Sequence, residues 1–158
     1  MDLQCRYAGT DDIDAVVAFL HQNYLEAMQH GIQEVCTAQA RETVTLSVSH
    51  PDLAVIVCED GQVMAGCAII YKGRSFFKQA EADLNMFLVA PAYRGTGAAR
   101  ALVEAIVAWV QAQDDVAILY CGCHSGFDDD GQNDAKFANL FKKFCFKVTG
   151  TNLHYVRS

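Results

Sequence analysis

Six consecutive residues, Arg94, Gly95, Thr96, Gly97, Ala98 and Ala99, stand where an apolar run gives way to a helical pattern. The first amides of a helix have no internal acceptor, and the dipole there is positive. Glycine and alanine let an anionic group approach those amides closely. The chemistry implied is the grip of a phosphate or pyrophosphate. A GxxxxGK[ST] loop is excluded, because its lysine is missing. A dinucleotide fingerprint fits Gly95 and Gly97 but fails at Arg100, which stands where a third small residue is needed. Two further groups carry chemically competent side chains. Cys121, Cys123 and His124 form a CxCH set, but structural zinc sites pair such a set with a second one at a distance. Asp128, Asp129, Asp130 and Gly131 resemble part of a calcium loop, yet Gly126 and Phe137 occupy positions that should be acidic. We read that segment as a solvated acidic loop that helps to attract a cationic substrate, and no metal is expected.

The elements that must position the loop follow from periodicity. Residues 3–7 read as a first strand, and Thr10, Asp11 and Asp12 offer a helix start ahead of Ile13, Val16, Val17 and Leu20. A weaker helical segment spans 33–48 and stops at His50-Pro51. Residues 53–58 (LAVIVC) and 63–71 flank Glu59-Asp60-Gly61, which predicts an antiparallel hairpin. A third strand spans 83–89 and feeds the glycine loop, and the helix over 98–113 carries an apolar stripe of Ala101, Leu102, Ala105, Ile106, Trp109 and Val110. A strand at 116–121, a helix at 135–144 and one or two closing strands within 145–156 complete the chain. Three strands in a row between helices predict a mixed, partly antiparallel α/β sheet covered by helices, not a doubly wound one.

Composition sets the bounds. At 158 residues the chain fits one domain, and its 52% hydrophobic content indicates a folded core. The net charge of −7 argues against general nucleic-acid binding and mildly favours cationic substrates. No apolar run is long enough to span a bilayer, and the opening MDLQCRYAGTDD has no basic end followed by an apolar block, so neither membrane insertion nor secretion is expected. Seven cysteines, an odd number scattered through apolar segments, predict reduced, mostly buried thiols and a cytoplasmic setting.

The segment VAPAYRGTGAARALV, residues 89–103, resembles the central motif of the Gcn5-related N-acetyltransferase (GNAT) superfamily. That motif runs from a strand ending in V-x-P to an R/Q-x-x-G-x-G/A loop and a helix, and residues 94–99 satisfy every fixed position. RYAGTDDIDAVVAFL is similar to the family's first strand and helix, EDGQVMAGCAIIY to its hairpin, and LFKKFCFKVTG to its LYEKLGF segment. The resemblance covers nearly the whole chain in order. It implies a GNAT fold, with a mixed, mostly antiparallel sheet of about six to seven strands flanked by about four helices.

It also implies an acetyl-coenzyme A donor with an amine-bearing acceptor. The pyrophosphate would rest on the amides of residues 94–99, and the pantetheine arm on the strand edge at Leu88 and Val89, where one amide could hold the thioester oxygen. The amine would attack directly, and a carboxylate would strip its proton, since an alkyl amine with a pKa of ~10 is a cation at neutral pH. Asp83 is the first candidate, at a position where many members carry an acid. Glu81 is the second, and it shares that strand face with Asp83 and Asn85. The family's acidic tyrosine is replaced by Phe141, which keeps only a position beside the cofactor, and the usual glycine of that segment is Cys145. Tyr120 is the natural substitute proton donor. The alternative is a module that binds acyl-CoA with weak or lost catalysis. In the family the acceptor wall comes from segments corresponding here to about 24–36 and 149–154, and homodimers are common.

Overall fold

The computed structural model describes residues 2–27, 35–74, 78–122 and 132–148. The elements are β1 (Leu3–Tyr7), α1 (Ile13–Ala27), α2 (Thr37–Ser49), β2 (Leu53–Asp60), β3 (Val63–Gly73), β4 (Ala80–Val89), α3 (Ala98–Gln111), β5 (Val116–Cys121) and α4 (Gln132–Lys142). They form a single sheet in chain order, antiparallel from β1 to β4 and parallel between β4 and β5. The parallel step needs a crossover, and α3 supplies it.

The strands read as near-continuous apolar runs because helices cover both faces. Ala54, Ile56 and Cys58 of β2 enter one core with Leu102, Val103, Ile106 and Trp109 of α3 and Phe141 of α4. Val55 and Val57 enter the other with Val16, Val17, Phe19 and Leu20 of α1 and Val44 of α2. Leu102, Val103 and Ile106 are fully buried, and each such side chain contributes about 1.5–3 kcal/mol of burial. The approach of α3 to β3 is close. A Cβ added at Gly66 would lie 2.8 Å from Leu102 Cδ1 and 2.9 Å from the Leu88 carbonyl oxygen.

Polar groups tie the periphery. Arg6 of β1 is bonded to Asp12 at 2.8 Å and to Glu59 of β2 at 2.9 Å, joining the start of α1 to the sheet edge. Lys72 of β3 meets Asp52 at 3.4 Å and Asp115 at 3.3 Å, joining the turn before β2 to the turn before β5.

The element order agrees with the sequence reading as far as α4, with boundaries shifted by a few residues. The sheet has five strands among the described residues, against the six or seven expected. One difference lies at the exit from α4. The Cys145 amide donates to the Lys142 carbonyl at 3.2 Å and the Phe146 amide to the Phe141 carbonyl at 3.4 Å, while Cys145 takes φ +67°. This is a Schellman stop, completed by an edge-on contact of the Phe146 and Phe141 rings at 5.0 Å. The turn occupies the residues expected to begin a closing strand. Residues 149–156, also assigned to closing strands, lie outside the described residues.

Candidate active site

The site is built around β4 and the turn that follows it. Ile69 of β3 pairs with Met86, and Ile70 with Leu84, so Asn85 is an extra residue in β4. This bulge changes the phase of the strand. Before it, Ala82 and Leu84 enter the core under α3; after it, Phe87 and Val89 do, and Met86 and Leu88 turn to the α1–α2 side. Glu81 and Asp83 are therefore directed to the α1–α2 side, and Asp83 is exposed.

The parallel ladder with β5 runs from Ala80 to Leu84 and ends at the pair Leu84–Cys121. Beyond it β4 continues to Val89, paired through Met86, Phe87, Leu88 and Val89 to β3 on its other side. The two parallel strands thus part at the bulge, and the β5-facing edge of β4 from Asn85 to Val89 carries backbone groups outside that ladder. Leu88 is buried and Val89 half-buried, so at these positions the backbone, not the side chain, is what the edge can offer a ligand.

Past Val89 the chain makes one tight turn over Pro91–Tyr93. The Arg94 amide donates to the Pro91 carbonyl at 3.2 Å and the Thr96 amide to the Tyr93 carbonyl at 3.3 Å, with the Thr96 hydroxyl on that same oxygen at 2.7 Å. Gly95 at φ +80° and Gly97 at φ +105° take left-handed conformations that side chains resist. The first bond of α3 runs from the Ala101 amide to the Gly97 carbonyl at 2.9 Å, and no side chain caps the helix. The amides of Gly97, Ala98, Ala99 and Arg100 precede that bond and point out of the helix end. Of the residues expected to form the cradle, Arg94 and Thr96 use their amides within the turn, and Arg100, which sequence reading passed over, adds a fourth open amide at the helix end. Space around Gly95 is open, since a Cβ there would meet nothing within 4 Å. These features fit a pyrophosphate.

The remaining expected residues are placed as follows. Asp83 is the register partner of Tyr71 on β3 and of Tyr120 on β5, and Glu81 that of Gly73 and Ile118. Tyr120 is 46% exposed. Asn85 Nδ2 donates to the Tyr71 hydroxyl at 3.4 Å. Phe141 is 2% exposed and sits in a ring cluster, stacked on Phe137 at 4.3 Å and edge-on to Phe87 of β4 at 5.5 Å. It packs behind the fork as a core residue. Burial, and then the charge of Asp83, push the Cys121 thiol up, which keeps it protonated and a poor nucleophile. Burial alone pushes Cys67 up to about 12.

Tyr71 and the bulge at Asn85 were missed from sequence. The only signal was the tyrosine closing the run 63–71, and its pairing with Asp83 depends on the bulge. Among the described residues no group of three or more metal-ligating side chains comes together, and no helix among them is long and apolar enough to cross a membrane. Cys123, His124, the acidic run 128–131, residues 149–154, and the side chains of 24–34 fall outside the described residues.

Comparison with known proteins bears on this strand, loop and helix. No curated protein sequence matches the chain. Solved structures match over nearly all of it. An aminoglycoside acetyltransferase from an uncultured soil metagenomic sample superposes with a TM-score of 0.71 at 15% identity, covering 100% of this chain and 99% of that one. A second, from a similar sample and in complex with sisomicin, gives 0.74 at 11% identity, covering 99% and 97%. An acetyltransferase from Trypanosoma brucei gives 0.70 at 13% identity, covering 99% and 100%. At such identities the likeness establishes the fold. The sequence profile of the Acetyltransferase (GNAT) family matches residues 17–133, well over half of the chain and the whole of the fork and glycine loop. On that match, the chain belongs to the acetyltransferase (GNAT) family.

Proposed function

We propose that this chain is a single-domain N-acetyltransferase that moves an acetyl group from acetyl-CoA to a primary amine by direct attack in a ternary complex. The observation that carries the reading is the continuity of two features in one strand–turn–helix unit: the edge of β4 released beyond Leu84, and the uncapped amides at the start of α3. Acetyl-CoA supplies the acyl group as an activated thioester. The amides of Gly97, Ala98, Ala99 and Arg100 hold its pyrophosphate. The β4 edge at Leu88 and Val89 holds the pantetheine arm, and an amide of that edge stabilises the oxygen that gains charge.

Asp83 accepts a proton from the incoming amine, directly or through water, with Glu81 as the neighbouring carboxylate. The nitrogen then bonds to the carbonyl carbon, the carbon–sulfur bond breaks, and the thiolate takes a proton. Tyr120, exposed and in register with Asp83, is the donor we assign to that last step. The protonated state of Cys121 favours direct transfer over an acyl-cysteine. What supports a cytoplasmic setting is that the described cysteines, Cys5, Cys36, Cys58, Cys67, Cys121 and Cys145, are all unpaired.

One observation favours a second reading, an acyl-CoA-binding module with weak catalysis. Phe141 stands where the resemblance puts an acidic tyrosine, and its ring is buried. Calorimetric titration with acetyl-CoA, using CoA and NAD as controls, followed by thiol release with a panel of amines, separates the two. Binding with turnover supports the enzyme. Binding without turnover on any amine leaves the module, and no binding removes both.

A further inference from the structure

The register of β3, β4 and β5 sets three side chains in one row across the sheet: Tyr71, Asp83 and Tyr120. Directly paired residues point to the same face. Here it is the α1–α2 side, because the alternate residues Ala82, Leu84, Leu119 and Cys121 pack on the α3 side. Directly opposed Cβ atoms are about 4.5–5.5 Å apart in the antiparallel β3–β4 ladder, and the parallel β5 lies about 4.7–4.9 Å away on the other side, so the Asp83 side chain rises from the sheet between those of Tyr71 and Tyr120. Asp83 is exposed, Tyr120 is 46% exposed, and Tyr71 is half-buried against the α1–α2 core. The Tyr71 ring is anchored at its far end, where its hydroxyl accepts from Asn85 Nδ2 at 3.4 Å.

The charge balance of the row is one-sided. Aromatic faces carry negative potential, and a carboxylate between two of them attracts cations. The neighbouring cations of β3 and the segment after it are engaged elsewhere: Lys72 with Asp52 and Asp115, and Arg74 with Asp115 at 2.9 Å. A neutral aryl amine would gain little from such a row. An aliphatic ammonium would gain from all three members.

From this juxtaposition we infer that Tyr71 and Tyr120 are specificity-determining residues, and that the acceptor is an aliphatic amine recognised in its cationic form between their rings at Asp83. The inference rests on the acetyl-transfer reading, with the row beside the fork as the acceptor subsite. It assigns Tyr71 a role in recognition and none in proton transfer.

The test uses a cation that can neither lose a proton nor accept an acetyl group. Tetramethylammonium is titrated into the full chain, with tert-butanol as a neutral probe of similar shape, and the tyrosine ring resonances are followed by NMR. Tetramethylammonium is expected to shift the Tyr71 and Tyr120 signals, with tert-butanol leaving them in place. Tyr71→Leu and Tyr120→Leu should each weaken tetramethylammonium binding about threefold to fivefold. Tyr71→Phe and Tyr120→Phe keep the ring and should bind it nearly as the parent does, which guards against a folding artefact in the leucine variants. Equal response to both probes, unmoved tyrosine signals, or leucine variants that bind as the parent does would each overturn the inference. Acetyl-CoA titration of the same samples reads the underlying function separately. Ammonium recognition without acetyl-CoA binding would remove the acetyl-transfer reading, whereas acetyl-CoA turnover with equal preference for aryl and aliphatic amines would remove only the inference.

Discussion

Leu84 of β4 and Cys121 of β5 form the last rung of the parallel ladder, one residue before the bulge at Asn85. That rung fixes where the two strands part. The carboxylates Glu81 and Asp83 lie on the paired side of it, and Leu88, Val89 and the glycine loop on the open side. In the function proposed above, proton handling and donor binding thus fall on different stretches of a single strand.

The glycine loop should respond to substitution through its backbone. Gly97 has φ +105°, and a Cβ there would have Leu3 Cδ1, at 3.9 Å, as its nearest contact, so there is room but not the right conformation. A left-handed conformation costs a side-chain-bearing residue about 1–2 kcal/mol. Gly97→Val should relieve that strain by turning the peptide, misaim the α3 amides, and weaken acetyl-CoA binding about tenfold or more, as read by calorimetry. Normal binding by this variant would remove the cradle assignment.

Asp83→Asn keeps the shape of the row and removes the carboxylate proposed as the base. Turnover with a primary amine should fall about 10²-fold or more, with the acetyl-CoA dissociation constant unchanged. A variant that lost donor affinity and kept its turnover at saturation would rule Asp83 out as the proton acceptor.

Phe141→Tyr restores the residue that the family resemblance leads one to expect. The ring is fully enclosed by Phe87, Phe137 and Phe146. A hydroxyl buried there without a partner costs about 1–3 kcal/mol, so the urea midpoint should fall. No gain in turnover is expected. A rate increase would mean that this position reaches the fork after all.

Cys145→Gly should stabilise the protein by about 1 kcal/mol, because the Schellman position at φ +67° penalises a side chain. The increase would appear as a higher urea midpoint with an unchanged slope. No change would indicate that the turn relaxes around cysteine at no cost.

The Arg6–Asp12 pair sets an acid limit. Hydrogen bonds from Arg6, and then from the Gly9 amide, lower the Asp12 pKa to about 2. A folded-state value below the unfolded one of about 3.9 adds stability that is complete above the unfolded value and is lost as pH falls through the folded one. Unfolding followed between pH 5 and pH 2 should show a progressive loss, and Asp12→Asn should flatten that part of the profile.

Much of this arrangement was legible in the sequence because local rules governed it. The loop 94–99 could be read as a strand-to-helix turn with open amides, since its glycines answer to backbone geometry and its helix to an apolar stripe. The hairpin of β2 and β3 followed from the Asp60-Gly61 turn. The row Tyr71–Asp83–Tyr120 was not legible, because register between strands far apart in the chain depends on a bulge with no signature of its own. Phe141 was placed by analogy with a catalytic tyrosine. Its burial comes from Phe87, Phe137 and Phe146, contacts that only the folded chain brings together. The turn at 143–146, where a strand was expected to begin, has a local cause, for Cys145 conceals a stop that glycine would have announced.

Asn85 also sets which change in length the strand can absorb. Deleting this one residue would let β4 pair with β3 without interruption, since Met86 would follow Leu84 directly, opposite Ile69 and Ile70. The alternation of faces would then run unbroken back from Val89 and would still place Phe87, Leu84 and Ala82 under α3, with Asp83 and Glu81 toward α1 and α2. A single-codon loss at this point would therefore keep both cores and erase only the local kink. The damaging change is the opposite one: were Asn85 kept but drawn into a regular ladder, the strand before it would slip by one residue, and Glu81 and Asp83 would replace Ala82 and Leu84 under α3.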